Sequence, residues 1–302
     1  MMPSTRQPGD LARPLREVGT PVLFVFLWDT GFIGAKLGLP YAGPLTFLAL
    51  RSTLAAALLV LLPLALCLAP TAAQEVAVEL ELVLAVDASG SIDDVEAAQQ
   101  RQGYVDAITD PAVGGAVRST PTGRIAVTYM EWAGPLDQHV LVPWTLIEDD
   151  TSARTFAARL MQAPGQRGGL TSISDAIDFA VRLFTDNGFA GRRQVIDISG
   201  DGVSNHGRAV PRARDDAVAL GIVINGLPLL NSRPQPMGAS TPTKLRLDRY
   251  YAQNVIGGSG SFLVPAPGLG AFKDAVLKKL IIEIADASLA PGAVPRRPSP
   301  SG

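Results

Sequence analysis

The sequence predicts an α/β protein: a mostly parallel, doubly wound sheet with helices on both faces. Three observations carry that expectation. Residues 76–86 open with alternating apolar positions and end in a continuous apolar run, the mark of a central strand buried on both faces. Residues 173–184 put Ile173, Ala176, Ile177, Ala180, Val181 and Phe184 on a single helical face. From Glu75 onward, strand-like and helix-like segments alternate along the chain, the order that builds a parallel sheet.

The elements follow in sequence. Residues 92–108 continue from the first strand as a helix. Residues 124–132 and 138–144 are two strands, with Gly134-Pro135 as the turn between them. A short helix spans 151–162, and the amphipathic helix 173–184 comes next. Residues 193–199 form a strand, 208–220 a helix stopped by Gly221, and 222–225 another strand. A helix over 244–253 and a short strand over 261–264 precede the closing helix, 269–285. That last helix is amphipathic through Phe272, Val276, Leu280, Ile281 and Ile284. One α/β domain is therefore expected over 74–286. The Pro- and Ser-rich tail, 287–302, is expected to be disordered.

Composition narrows the function classes. The chain has 302 residues, 47% of them apolar and 18% charged. That is enough apolar material for a core and excludes disorder over the whole length. A formal net charge of −2 gives no general attraction to nucleic acid. A single cysteine, Cys67, excludes an intrachain disulfide framework and a Cys-rich zinc site. The two histidines, His139 and His206, exclude a His-rich one. The mean hydropathy of +0.22 is raised by the N-terminal end.

That end differs in kind. Residues 1–19 are polar and carry Arg6, Arg13 and Arg16; residues 20–39 and 45–69 are largely apolar. Two readings fit 51–73. In the favoured one, Arg51 and the apolar run 54–68 form a secretory signal, with Thr71-Ala72-Ala73 as a small-residue cleavage site and Gln74 as the mature start. In the other, the segment is a membrane helix, although 52–69 is slightly short for a span. The protein is thus expected in the periplasm or outside the cell, attached to a membrane only if this segment stays uncleaved. Leu66 ahead of Cys67 argues against a lipoprotein site. The preceding stretch, from Val25-Phe-Leu-Trp-Asp-Thr-Gly-Phe through Pro40-Tyr-Ala-Gly-Pro to Arg51, resembles the start of an EamA-type drug/metabolite transporter. It is far too short to be a working carrier. Residues 1–50 are expected to be an extension that arose at a gene boundary or as a fusion scar, with the native start near Arg51.

In doubly wound sheets, ligands sit at the carboxyl ends of the strands, near the switch in strand order. Three segments fall there. Asp87-Ala-Ser89-Gly-Ser91 follows the first strand, Gly168-Gly-Leu-Thr171 precedes the amphipathic helix, and Ser199-Gly-Asp201-Gly follows the strand 193–199. Together they offer two carboxylates and three hydroxyls, an all-oxygen set suited to a hard divalent cation such as Mg²⁺, or to Mn²⁺ or Ca²⁺. Each has a plain structural alternative. Ser91 with Asp94 fits a capping box. Ser89 suits a turn, Thr171 or Ser172 suits a helix N-cap, and Asp201-Gly202 is a common turn dipeptide. Two buried strand ends that each carry an Asp shift the balance toward a metal, because such a carboxylate is costly unless paired or bound.

The triple resembles the metal-ion-dependent adhesion site (MIDAS) of the von Willebrand factor A domain, in which a D-x-S-x-S motif is joined by a Thr and an Asp from two later loops. Asp87, Ser89, Ser91, Thr171 and Asp201 match it in type and order. The resemblance implies a three-layer Rossmann-like fold, a divalent cation, and a protein partner that contributes an acidic group. Val195-Ile-Asp-Ile-Ser-Gly-Asp-Gly202 and Tyr250-Tyr-Ala-Gln-Asn-Val-Ile-Gly-Gly258 further resemble a bacterial family of A-domain-like proteins of unknown function. Residues 227–243 are long and Pro-rich, a departure from the usual A domain.

An enzyme is not the expected reading. Ser89 stands where a haloacid-dehalogenase-type phosphotransferase needs a second Asp, and neither G-x-S-x-G nor G-x-G-x-x-G occurs where a hydrolase or dinucleotide fold requires it. A metal-dependent hydrolase, or an A fold with an empty site, remains the alternative. Trp132 and Trp144 are expected to pack at the rim. Arg192-Arg193 is expected as a solvated turn, and His206 as a solvated loop residue.

Overall fold

The structure, a computed structural model, describes residues 75–230 and 247–289, together with scattered helical positions between Leu45 and Ala57. The chain divides into two units, Met1–Ala72 and Ala73–Gly302. Apart from those scattered positions, the signal and transporter-like segments lie outside the described residues, as does most of the tail. Among the described residues no helix is long and apolar enough to cross a membrane.

The second unit is the expected α/β domain. Its elements are β1 (Val76–Asp87), α1 (Asp94–Ile108), α2 (Pro111–Ser119), β2 (Ile125–Trp132), β3 (Gln138–Ile147), α3 (Asp150–Gln162), α4 (Ile173–Leu183), β4 (Phe189–Gly200), α5 (Val210–Ala219), β5 (Val223–Pro228), α6 (Leu247–Tyr250) and α7 (Phe272–Leu289). The sheet order is β3-β2-β1-β4-β5. β1 runs parallel to both β2 and β4, and β4 parallel to β5; β3 returns antiparallel from β2 as an edge hairpin. The chain winds outward from β1 on one side, then crosses over to β4 on the other. The switch in strand order therefore lies between β1 and β4, and the crevice at their carboxyl ends is where such a fold receives ligands.

Two cores enclose the sheet. Leu80, Leu82, Leu84 and Val86 of β1 face one, covered by Tyr104 of α1, Val113 and Val117 of α2, Phe156 and Leu160 of α3, and Phe272, Val276, Leu280 and Ile284 of α7. Val83 and Ala85 face the other, covered by Ile173, Ile177 and Ala180 of α4 and Val210 and Ala213 of α5. This is why β1 is continuously apolar over 82–86: with a helix layer on each side, both pleat faces are interior. Gly103, inside α1, would be unfavourable on helix propensity alone. It is required because a Cβ there would stand 2.8 Å from Phe272 Cδ1. The glycine lets α7 approach α1.

Several expectations need correction. α1 starts at Asp94, not at Ile92, because Asp93 is its N-cap: the Asp93 carboxylate accepts from Val95 N and Glu96 N, and Glu96 answers from N3. Ser91 is therefore not the cap. α2 was not anticipated; Asp110 caps it and Pro111 occupies its first position. The helix expected over 244–253 is the short α6 followed by a π-helical turn, Tyr251–Val255. Residues 261–264 form no strand, only isolated bridges such as Gly226 to Leu263. Arg192 and Arg193 lie inside β4, where Arg192 pairs with buried Glu79 at 3.3 Å and Arg193 donates to Glu283 O at 3.0 Å. Trp132 is a core residue, 1% exposed, not a rim residue. Local caps decided the starts of α1 and α2; a tertiary partner decided the placement of Arg192 and Arg193.

Candidate metal centre

β1 ends at Asp87 and β4 at Gly200, on neighbouring parallel strands. The loops that leave them carry four of the five predicted residues. Asp87 is buried, 2% exposed. Its Oδ1 accepts from Ser89 N at 2.7 Å, which folds the chain into a tight turn and aims the hydroxyls of the D-x-S-x-S motif back at the strand ends. Ser89 Oγ and Ser91 Oγ are 3.2 Å apart, and Ser91 Oγ donates to Asp201 Oδ1 at 2.6 Å. A chain of oxygens thus runs from β1 to the β4 loop.

Thr171 arrives from the third loop, 163–172, and is held by its backbone. Its N–H donates to Asn205 Oδ1 at 3.0 Å, and its carbonyl accepts from Asn205 N at 2.9 Å and His206 N at 3.2 Å. Gly168 N donates to Ala88 O at 3.2 Å, and Ser172 N to Ala133 O at 2.7 Å. All three loops therefore meet at the β1–β4 switch. Ser172, not Thr171, caps α4, with its hydroxyl accepting from Asp175 N. Both serine and threonine were open as the cap; the cap falls on the one that leaves the Thr171 hydroxyl out of the helix.

The other oxygen of Asp87 is the decisive atom. Asp87 Oδ2 is buried and has no hydrogen-bond partner. A Cβ at Gly200 would lie 2.9 Å from it, so only glycine lets the β4 backbone pass so close. Burial, and then the nearby Asp201 charge, push the Asp87 carboxyl up to about 7; the Ser89 hydroxyl and the amides of Ser89 and Asp201 pull the other way. A carboxylate in this position needs either a proton or a cation. The donors around it are oxygens only. Among the described residues no group of three His, Cys, Asp or Glu side chains could hold a metal, so a cation here depends on hydroxyls to complete its shell. That is a hard-cation set rather than a zinc-type one.

Sequence reasoning missed three contributors. Asn205 fixes Thr171 from both sides, and a loop asparagine carries no signal for that. Gly200 makes the close approach, and its signal is the Ser-Gly-Asp string itself. Tyr251, fully buried, has a hydroxyl without a partner, raised well above its ordinary pKa by burial and by the charges of Asp87 and Asp201. Its neighbour Tyr250 accepts from Ser204 N at 3.3 Å and so braces the Asp201 loop. The paired tyrosines, prominent in the sequence, thus lie beneath the centre. The His206 ring plays no part in the oxygen chain; only its backbone does.

A family model described as "Protein of unknown function (DUF1194)" matches residues 77–288. The transporter-like stretch lies outside that match. No curated protein matches the chain. Among solved structures, proximal thread matrix protein 1 from the mussel byssus aligns at a TM-score of 0.51 and 14% identity, over 70% of this chain and 49% of that one. The pilus adhesin SpaC from Lactobacillus rhamnosus GG aligns at 0.51 and 12%, over 72% and 31% respectively. A von Willebrand factor type A structure from Catenulispora acidiphila aligns at 0.47 and 14%, over 70% and 43%. The chain thus spans about half the length of the mussel protein and about a third of the adhesin. At these identities the two alignments at a TM-score of 0.51 show a shared fold alone, the doubly wound α/β fold expected from the sequence.

Proposed function

We propose that this chain, which belongs to the DUF1194 family, is an exported binding module that holds a divalent cation and presents it to an acidic group of a protein partner. One observation supports this above the others. Asp87 Oδ2, buried and partnerless, faces the β4 loop that carries Asp201, and a continuous set of hydroxyls lies alongside. A dication would neutralise the Asp87 and Asp201 carboxylates together. Asp87 and Asp201 would supply charge, directly or through water, and Ser89, Ser91 and Thr171 would supply neutral oxygens. Mg²⁺ is the first ion to test, then Mn²⁺ and Ca²⁺. With only two carboxylates and three hydroxyls, the ion would keep exchangeable positions, which a partner's carboxylate can enter.

Binding rather than turnover is favoured by what surrounds the centre. Among the described residues no serine or threonine hydroxyl hydrogen-bonds a histidine ring; His139 pairs with Asp137 at 3.0 Å. No activated nucleophile of the usual kind is therefore in view. Export rests on the signal-like segment 51–73.

The test is calorimetric titration of the protein with Mg²⁺, Mn²⁺ and Ca²⁺ beside Asp87→Ala. One saturable site, lost in the variant and competed by a carboxylate peptide, is expected. No uptake by the wild type would contradict the reading. Metal-dependent phosphatase or esterase turnover, lost in Asp87→Ala, would replace it with a hydrolase.

A further inference from the structure

Thr171 is the ninth residue of a ten-residue connection, 163–172, that contains neither helix nor strand. A loop of that length samples many conformations unless something holds it. Two side chains outside the centre do so. Arg101 lies mid-way along α1, and Glu131 is the penultimate residue of β2. Arg101 donates from Nε and Nη2 to Glu131 Oε1 at 2.8 and 2.6 Å. Its remaining arm, Nη1, donates to Ala163 O at 3.0 Å, and Glu131 Oε2 accepts from Gln166 N at 2.9 Å. The cation thus grips a carbonyl at the loop's start and the anion grips an amide three residues on. Gly165 lies between the two grips, where a Cβ would stand 2.9 Å from Arg101 Nη2.

Stability alone does not account for this pair. Its side chains are 13% and 4% exposed, and a buried ion pair is commonly replaceable by apolar residues of similar volume without loss of stability. What apolar residues could not replace is the use each charge makes of its spare hydrogen-bonding capacity. Both direct it to the backbone of one loop, the loop that carries Thr171. The guanidinium suits this because its planar fork serves a carboxylate and a carbonyl together, whereas an ammonium is a point charge.

We propose that Arg101 and Glu131 are positioning residues of the cation site: a buried pair that locks residues 163–172 and so fixes the Thr171 hydroxyl at the β1–β4 switch. The assignment of a cation rests on the function proposed above; the lock itself does not. Partners that orient metal ligands in this indirect way typically change metal affinity about 10–100-fold when removed.

The experiment uses the full chain with two variants, Arg101→Lys and the double variant Arg101→Met/Glu131→Leu, which leaves no unpaired buried charge. Mn²⁺ affinity is measured by calorimetry, global stability by urea unfolding, and loop order by amide exchange at Gln166 and Gly168. The double variant is expected to unfold in the same urea range as the wild type, to bind Mn²⁺ at least about tenfold more weakly, and to exchange both amides faster. Arg101→Lys should fall between the two. Unchanged Mn²⁺ affinity in a folded double variant overturns the proposal. If that variant does not fold, Arg101→Lys decides: weakened binding at wild-type stability supports the lock, and unchanged binding refutes it. If the wild type takes up no Mn²⁺, the cation reading fails, and the exchange data judge the lock alone. Faster exchange in the variants then supports it; unchanged exchange refutes it.

Discussion

Replacing the acid at the heart of the centre should make the metal-free protein more stable, not less. The Asp87 carboxyl is pushed up to about 7 from an ordinary 3.8 by burial and by Asp201. A group with a raised folded pKa binds its proton more tightly in the folded state than in the unfolded state. Stability from this group is therefore fully present below pH ~4, declines as pH rises, and is lost once pH passes about 7. The difference between about 7 and 3.8 corresponds to at most roughly 4 kcal/mol. Asp87→Asn keeps the shape and removes the ionisation. In chelator at pH 8 the variant should be more stable than the wild type by about 1–4 kcal/mol in urea unfolding; at pH 4 the two should differ little. Saturating Mg²⁺ should reverse the order at pH 8, because the cation stabilises only the form with a carboxylate to offer, and the gain grows with the logarithm of its concentration. A variant equal to or weaker than the wild type in chelator at pH 8 would refute the reasoning, since Asp87 would then have its charge satisfied without a metal.

Other positions make separable predictions. Gly200→Ala places a Cβ 2.8 Å from the Tyr251 hydroxyl and 2.9 Å from Asp87 Oδ2; overpacking of about 1–3 kcal/mol should appear in urea unfolding, and Mg²⁺ uptake should weaken in calorimetry. Asn205→Ala removes the acceptor of Thr171 N; it should lower Mn²⁺ affinity several-fold while leaving the far-UV circular dichroism unchanged. Lys279 is fully buried between Asp197, 2.7 Å away, and Glu283, which also accepts from Asn225. Burial raises the Asp197 pKa and Lys279 holds it back, so Lys279→Met should lose about 3–5 kcal/mol at pH 8 and lose less at pH 5, as the stranded Asp197 carboxyl takes up a proton.

The sequence revealed the layer order because periodicity reports which face an element buries, and both cores of this domain are plainly apolar. β1 and α4 were legible for that reason. That Asp87, Ser89, Ser91 and Asp201 lie at the carboxyl ends of β1 and β4 was legible from chain order alone, whereas Thr171 comes on the loop between two helices. What escaped was one local ambiguity and several features set by contacts distant in sequence. The capping role of Asp93 was masked by Ser91-x-x-Asp94, a second sequence that satisfies the same local pattern. The buried Lys279 and Glu283 look, one turn apart, like an exposed i,i+4 pair on the polar side of a helix; Asp197 and Asn225, on the sheet face that α7 covers, are their partners there. Arg192 and Arg193 likewise look like a turn until Glu79 on the neighbouring strand is seen beside them. The short apolar stretch 261–264 has strand composition, but it crosses the sheet edge with isolated bridges and builds no ladder.

The central claim is that the β1–β4 switch holds a dication on Asp87, Ser89, Ser91, Thr171 and Asp201. Crystals grown with Mn²⁺ and measured for anomalous scattering test it most directly. The account predicts one strong anomalous peak within coordination reach of those oxygens, absent from Asp87→Asn crystals grown in the same solution. Full occupancy of the crevice by water alone, or a peak that persists in the variant or sits elsewhere on the molecule, would contradict it.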